Sequence, residues 1–182
     1  VRSKSGDLGA LDIEASGDEV QVRGSHVGVG WIRIPISGGE VDLEIDVPRK
    51  LTVKARTMTG SSEVEGVAGR LELHAANGGI RVEGPVDEAL PETMNADIEF
   101  EGKESRVDAR AVNGRIELRG VAGEVVANTM TGSIEVEAGR VERVDLRTLA
   151  GPIELRGELA PEARVHMKTY NGDIRLRVPE DT

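Results

Sequence analysis

The feature that most constrains this chain is a repeat. Aligned on one turn position, Gly60, Gly78, Ala96, Gly114, Gly132, Gly151 and Gly172 follow one another at intervals of 18, 18, 18, 18, 19 and 21 residues, and a fixed period of this length marks a repeat architecture. The clearest copy, Arg106 to Gly120, sets the alternating runs Val107/Ala109/Ala111 and Ile116/Leu118 on either side of Asn113-Gly114. Alternation with period two predicts strands with one buried face. Two residues past the anchors stand Ser62, Ile80, Ile98, Ile116, Ile134, Ile153 and Ile174, and two further on Val64, Val82, Phe100, Leu118, Val136, Leu155 and Leu176. Seven before come Val53, Leu71, Ala89, Val107, Val125, Val144 and Val165, and five before come Ala55, Leu73, Pro91, Ala109, Ala127, Leu146 and Met167.

Asn-Gly between alternating runs ordinarily signals a tight hairpin. Hairpins, however, would bury successive units against different neighbours, and nothing would then hold one residue type at one offset. A coil stacked on its own copy at the ~4.8 Å strand spacing makes each of the four columns continuous. Left-handed hexapeptide helices share the period but need an aliphatic residue at every sixth position, whereas the residue before each anchor is Thr59, Asn77, Asn95, Asn113, Thr131, Ala150 or Asn171. The prediction is an all-β, single-stranded parallel β-helix (β-solenoid) of about 18 residues per coil with two main strands and two corners, right-handed by the general crossover preference.

The 182 residues suit one domain, 1–182, in which 1–50 form irregular first coils and an N-terminal cap and 51–182 the regular coils. Leu11, Ile13 and Ala15, then Val20 and Val22, read as an irregular first coil; Val27, Val29, Trp31, Ile32, Ile34 and Ile36 leave the template, and Trp31 is expected to plug the open end. Between Pro85 and Asn95, Pro85 and Pro91 predict a poorly paired side, since proline cannot donate to a ladder. The aromatics Trp31, Phe100 and Tyr170 are few, as a narrow interior filled by Ile, Val, Leu and Ala requires. Without cysteine there is no disulfide framework, and a net charge of −10 argues against nonspecific nucleic-acid binding. No run reaches membrane-spanning length, so membrane insertion by this segment is not expected. The chain opens on Val1 rather than methionine, which suggests a processed or trimmed product.

The segment Val41-Asp-Leu-Glu-Ile-Asp-Val-Pro48, followed by Leu51-Thr-Val-Lys-Ala-Arg-Thr-Met-Thr-Gly60 and by Asn-Gly-x-Ile coils, resembles the bacterial putative-adhesin family of unknown function, also called the toastrack domain. The likeness runs over roughly residues 10 to 178 and rests on structural motifs. It implies a β-solenoid carried extracytoplasmically or tied to a membrane, in some cases linked to envelope-stress systems, and it supplies no active-site residues. Localisation is therefore expected to be extracytoplasmic or at the bacterial cell surface, the alternative being the cytoplasmic face of a membrane-anchored protein.

Candidate chemistry is sparse. His26, His74 and His166 fall at unrelated points of the repeat, so no metal or cofactor site is expected; no nucleophile carries a local signature. Asn77, Asn95, Asn113 and Asn171 read as turn residues whose amides stack between coils. Met58, Met94 and Met130 alternate with Ala76, Val112 and Leu149 two residues before the anchor, which predicts gap filling at a corner. The charged columns say more: Glu99, Glu117, Glu135 and Glu154 stack on one sheet, beside a column in which Glu101, Arg119, Glu137 and Arg156 alternate in sign. Arg56, His74, Glu92, Arg110, Asn128, Arg147 and Lys168 form a basic stripe on the other sheet. Like charges about 5 Å apart in water repel by about 0.8 kcal/mol before screening, an effect the alternating column is expected to offset by diagonal bridges. The glutamate stripe, Glu99, Glu117, Glu135 and Glu154, reads either as a solvated face that keeps the solenoid soluble or as the candidate site that meets a basic partner or loosely binds divalent cations. The functional expectation is a non-catalytic, surface-exposed interaction or scaffold module with a protein or cell-envelope partner. Its rivals are a structural unit that stacks end to end, as bactofilin-like solenoids do, and a carbohydrate-active enzyme, which would need paired carboxylates in a groove.

Overall fold

The computed structural model describes residues 10–16, 19–24, 31–36, 41–44, 50–103 and 106–179, with side chains from residue 52 onward except that of residue 59. The repeat stacks as a parallel β-solenoid. Its elements are β1 (Ala10–Ser16), β2 (Glu19–Gly24), β3 (Trp31–Ile36), β4 (Val41–Glu44), β5 (Lys50–Thr59), β6 (Ser62–Glu65), β7 (Ala68–Asn77), β8 (Ile80–Glu83), β9 (Glu88–Asn95), β10 (Ile98–Glu101), β11 (Arg106–Asn113), β12 (Ile116–Thr131), β13 (Ile134–Ala150), β14 (Ile153–Asn171) and β15 (Ile174–Arg177). Among the strands from β5 onward the ladders between successive coils are parallel, and the register pairs each residue with its repeat equivalent. Ile80, Ile98, Ile116, Ile134, Ile153 and Ile174 are consecutive vertical neighbours. In the later coils the second corner stays hydrogen-bonded, so β12, β13 and β14 each run through both sheets with register shifts at the bend.

The first sheet is ordered β2-β1-β5-β7-β9-β11 and continues through the second halves of β12, β13 and β14. The second is ordered β4-β3-β6-β8-β10 and continues through the first halves of β12, β13 and β14 to β15. Between them lie the four expected columns, including Leu71, Leu73, Ile98, Phe100, Ile116 and Leu118, all essentially without solvent contact. Two further inward columns complete the core. Val67, Val86, Val121 and Val141 fill the second corner, and Thr57, Ala75, Thr93, Ala111, Thr129 and Thr148 line the first.

The anchor glycine marks a close approach between coils. A Cβ on Gly114 would lie 1.9 Å from the carbonyl oxygen of Ala96, and on Gly132, where φ is +146°, 2.0 Å from that of Gly114. The carbonyls concerned accept inward-facing threonine hydroxyls from the coil above: Thr129 Oγ1 donates to Gly114 O at 3.4 Å, Thr148 Oγ1 to Gly132 O at 3.2 Å and the half-buried Thr169 Oγ1 to Gly151 O at 3.0 Å. The same peptide corner thus excludes a side chain and satisfies an otherwise buried hydroxyl. Asn-Gly here is a corner between stacked strands, as the repeat count requires, and not a hairpin.

At the N-terminal end, both sheets are extended by antiparallel strand pairs. β1 lies parallel on β5 and β2 folds back on β1; β3 lies antiparallel on β6 and β4 on β3. Among the described residues of 1–50, the irregular start is therefore two antiparallel strand pairs, one per sheet. Trp31 begins β3 opposite Glu65, while its side chain lies outside the described residues, as do Val27 and Val29. The proline-containing strand β9 keeps its ladder to β7, with Pro91 opposite Leu73, but toward β11 the pairing skips Leu90 and Pro91. One side of that strand is thinned and the other is not.

Gly132→Ala is expected to destabilise the protein by about 2 kcal/mol or more, because it combines a left-handed φ with a backbone clash. Ser133→Ala beside it should stay within about 0.5 kcal/mol. Urea denaturation of the two variants checks this; equal midpoints would remove the close-approach account of the repeat.

Candidate functional site

Each outer column inherits its register from the core. Glu99, Glu117, Glu135 and Glu154 pair rung by rung, so the structure places all four in one vertical line. The line is less bare than its sequence suggests. Glu99 accepts from Arg81 Nη1 at 2.9 Å, Glu117 is paired with Arg119, and Glu154 accepts from Arg156 Nε at 2.8 Å with Arg177 Nη1 3.6 Å away. Glu135 has no ion pair among the described residues, and Arg156 sits near it. The bridging differs from the expected pattern: most contacts run along a strand, two residues apart, or straight up a column, as in Arg119–Glu137 at 4.0 Å and Arg156–Glu137 at 3.6 Å. Arg177–Glu154 is diagonal. Along-strand pairs form because residues two apart project on one side, within reach of the long arginine side chain. The Arg156 hydrogen bond holds Glu154 below the usual carboxylate range, the pull exceeding the opposing effect of partial desolvation.

The basic stripe on the first sheet is also a true column. Its members are partly answered by acids: His74 Nδ1 lies 3.2 Å from Glu92, Arg110 pairs with Asp108 at 2.8 Å and Arg147 with Asp145 at 2.6 Å. Asp108 and Asp145 both stand beside Val126 in the register. Each uses one oxygen on its arginine while the other, Oδ1, is buried without a partner. Burial pushes the Asp108 carboxyl above its ordinary pKa, against the pull of Arg110 and with help from Glu124 and Glu92.

Of the asparagines, Asn77, Asn95 and Asn113 form a ladder, in which Asn95 Nδ2 donates to Asn77 Oδ1 and Asn113 Nδ2 to Asn95 Oδ1, each at 3.0 Å. Asn171 stands apart, stacked on Ala150. Among the described residues no three His, Asp or Glu side chains converge on a metal-sized site, and no helix is long and apolar enough to cross a membrane. His166 is exposed on the outer face, and His26 lies outside the described residues.

The methionine column corrects the sequence reading. Met58, Met94 and Met130 are 58 %, 54 % and 54 % exposed, Leu149 51 % and Tyr170 86 %, with Val112 also exposed. They do not fill a corner. The corner is already filled by the inward threonine and alanine column one residue earlier, so the position two residues after the basic stripe is forced outward by strand parity. Met58, Ala76, Met94, Val112, Met130, Leu149 and Tyr170 thus occupy one outer column, about 29 Å long over six strand spacings. The signal available in the sequence was parity: two residues on from an outward charged column lies another outward column.

Comparison with protein families, with curated proteins and with solved structures finds no match.

Because the folded pKa of Asp108 lies above its unfolded value, the folded state holds an extra proton in the window between the two, and stability falls as pH rises through it. Asp108→Asn should therefore melt higher than the parent at neutral pH, with the gain shrinking as pH drops through the carboxylate range. Thermal melts of both proteins between neutral and acidic pH check this; a gain that does not change with pH would locate the effect elsewhere.

Proposed function

We propose that this chain is a non-catalytic interaction or scaffold module, displayed extracytoplasmically or at the cell surface, that binds a protein partner along the outer face of its first sheet. The observation that carries the reading is the exposed apolar column from Met58 to Tyr170. Exposed apolar side chains in a contiguous line mark interaction surfaces more often than scattered ones do, and methionine adapts its shape to differently contoured partners. The flanking column supplies Arg56, Arg110, Arg147 and Lys168, so the complementary partner is an extended segment with apolar residues and acidic neighbours. The resemblance of residues 41–60 to the toastrack domain supports the envelope placement.

The glutamate column, Glu99, Glu117, Glu135 and Glu154, offers a second face to a basic partner. Its arginine neighbours make it the weaker surface, since a partner would compete with pairs already formed.

Capture from an envelope extract of the source cells, compared across variants, tests the reading. Met94→Glu with Met130→Glu should lose the partner retained by the parent, while Glu117→Lys with Glu135→Lys should retain it. Loss only in the glutamate variant would move the site to the second sheet, and a partner captured equally by all three would sink the proposal.

A further inference from the structure

The outer apolar column carries a second regularity that docking alone does not require. The chain has four methionines, and three of them, Met58, Met94 and Met130, stand in this one column, 58 %, 54 % and 54 % exposed. Leu149 takes the same offset one coil above Met130 and is 51 % exposed, so the position accepts a branched aliphatic side chain as readily as a thioether. The interior makes the opposite choice. Among the described residues its buried hydrophobic side chains are Val, Ala, Leu, Ile and Phe, with no methionine, although methionine fills irregular gaps well. Met167, the fourth, packs half-buried against the core. Sulfur is thus placed where packing does not need it and solvent reaches it.

Exposed thioethers and thiols are the side chains open to two-electron oxidation, and this chain has no cysteine to compete for the oxidant. The residues that separate the methionines, Ala76 and Val112, are shorter. The column therefore leaves each thioether open on both flanks, about 9.6 Å or two strand spacings from the next. Each is accessible to a small oxidant and reacts independently of the others.

We infer that Met58, Met94 and Met130 are a modification site for a two-electron oxidant of the peroxide or hypochlorous acid class, and that their conversion to sulfoxides switches off the apolar face. The inference rests on the docking role proposed above for that column. The step balances with no group beyond the oxidant. A sulfur lone pair attacks one oxygen of hydrogen peroxide, the S–O bond forms as the O–O bond breaks, and the sulfur gives up two electrons. The second oxygen leaves as hydroxide and takes the proton of the transferred oxygen to become water; with hypochlorous acid the leaving group is chloride and the proton passes to solvent. A thiol-dependent sulfoxide reductase reverses the change, returning the oxygen as water while two thiols become a disulfide. The product is polar, so an apolar partner seated on it would leave the sulfoxide oxygen without a donor. The fold is left alone, because these three side chains lie outside the core and Met167 is the methionine packed against it. A docked partner shields the thioethers, so oxidation acts on the free face and blocks rebinding.

Treating the 182-residue chain with hydrogen peroxide and following each methionine by peptide mass spectrometry should show Met58, Met94 and Met130 oxidising at similar rates, several-fold faster than Met167, with an unchanged circular dichroism melt. Equal rates at all four, or loss of the folded signal, would overturn the proposal. Immobilised phenyl groups then stand in for an apolar partner. The oxidised parent should be retained less than the untreated parent, and the two epimer-specific methionine sulfoxide reductases with dithiothreitol should restore its retention. Met58→Leu/Met94→Leu/Met130→Leu should be retained like the parent with or without peroxide; a leucine variant that responds to peroxide as the parent does would take the effect away from these sulfurs. In the envelope-extract capture described above, the oxidised parent should lose the partner several-fold and the peroxide-treated leucine variant should keep it. An oxidised parent that still holds the partner released by Met94→Glu with Met130→Glu refutes the switch and leaves the docking face standing. A glutamate variant that holds the partner as well refutes the docking face itself, and the switch with it.

Discussion

One constraint underlies the molecule: each coil must lie on the previous one at a single strand spacing, in register, over its whole perimeter. The anchor glycines enforce it at the tightest point. At Gly114, Gly132, Gly151 and Gly172 the carbonyl of the coil below comes within about two ångströms of where a Cβ would be. Once the coils touch there, the strand offsets on either side are fixed, and residues 18 apart have no choice but to stack. The interior columns follow, and with them the burial of Ile98, Ile116 and Ile134 in one line. Fully burying a side chain of this size stabilises by roughly 1.5–3 kcal/mol, so the repeated isoleucine is the term that keeps the close approach occupied.

The same register creates the main electrostatic difficulty. Identical outer offsets bring like charges over one another, and a stack of glutamates repels. The chain answers in two ways. Arginines two residues along the strand reach back, as Arg119 does to Glu117 and Arg156 to Glu154, and arginines one coil away interleave, as Arg70 does with Glu88 at 2.7 Å. These pairs are exposed, and singly each is worth little. Their effect is to cancel a repulsion that the fold itself generates. Their pH signatures run opposite to that of Asp108. Lys54, hydrogen-bonded to Glu72, holds that carboxyl below its usual range, so its small contribution is lost as pH falls, whereas the half-buried Asp108 becomes less favourable as pH rises.

Most of the fold was legible because a repeat makes every position a repeated measurement. Alternation in one coil is ambiguous between hairpin and stack, but six isoleucines at one offset are not. The misreadings share a cause: residue type was weighed above parity. Thr57, Thr93, Thr129 and Thr148 are polar by type, yet all four are buried, and the anchor carbonyls accept the hydroxyls of Thr93, Thr129 and Thr148. The large-small alternation of methionine suggests gap filling at a corner, yet alternation from the buried threonine column places it outside. Asn171 was grouped with the asparagine ladder, although Thr131 and Ala150 interrupt the column between Asn113 and Asn171. The candidate site was legible only as geometry. The column of Glu99, Glu117, Glu135 and Glu154 follows from the repeat, but the arginines that occupy it depend on side-chain conformations that no periodicity specifies.

The apolar outer column is informative because the fold does not ask for it. Inward positions must be apolar or hydrogen-bonded, and the corner must be glycine where a Cβ would strike a carbonyl. The outer positions two residues before the anchor carry neither demand, and the outer columns on either sheet show the ordinary solution: glutamate and arginine at Glu99 through Glu154, arginine and lysine at Arg110, Arg147 and Lys168. In every coil from Met58 to Tyr170, however, the residue at this offset is uncharged and largely apolar. Packing cannot account for it, because the side chains of Met58, Met94, Met130 and Leu149 are more than half exposed. Solubility opposes it. A choice made repeatedly against solubility and without help from packing is best explained by something that covers the column when the protein is at work, and the straightness of the line, set by the glycine corner, fixes the shape of what can cover it.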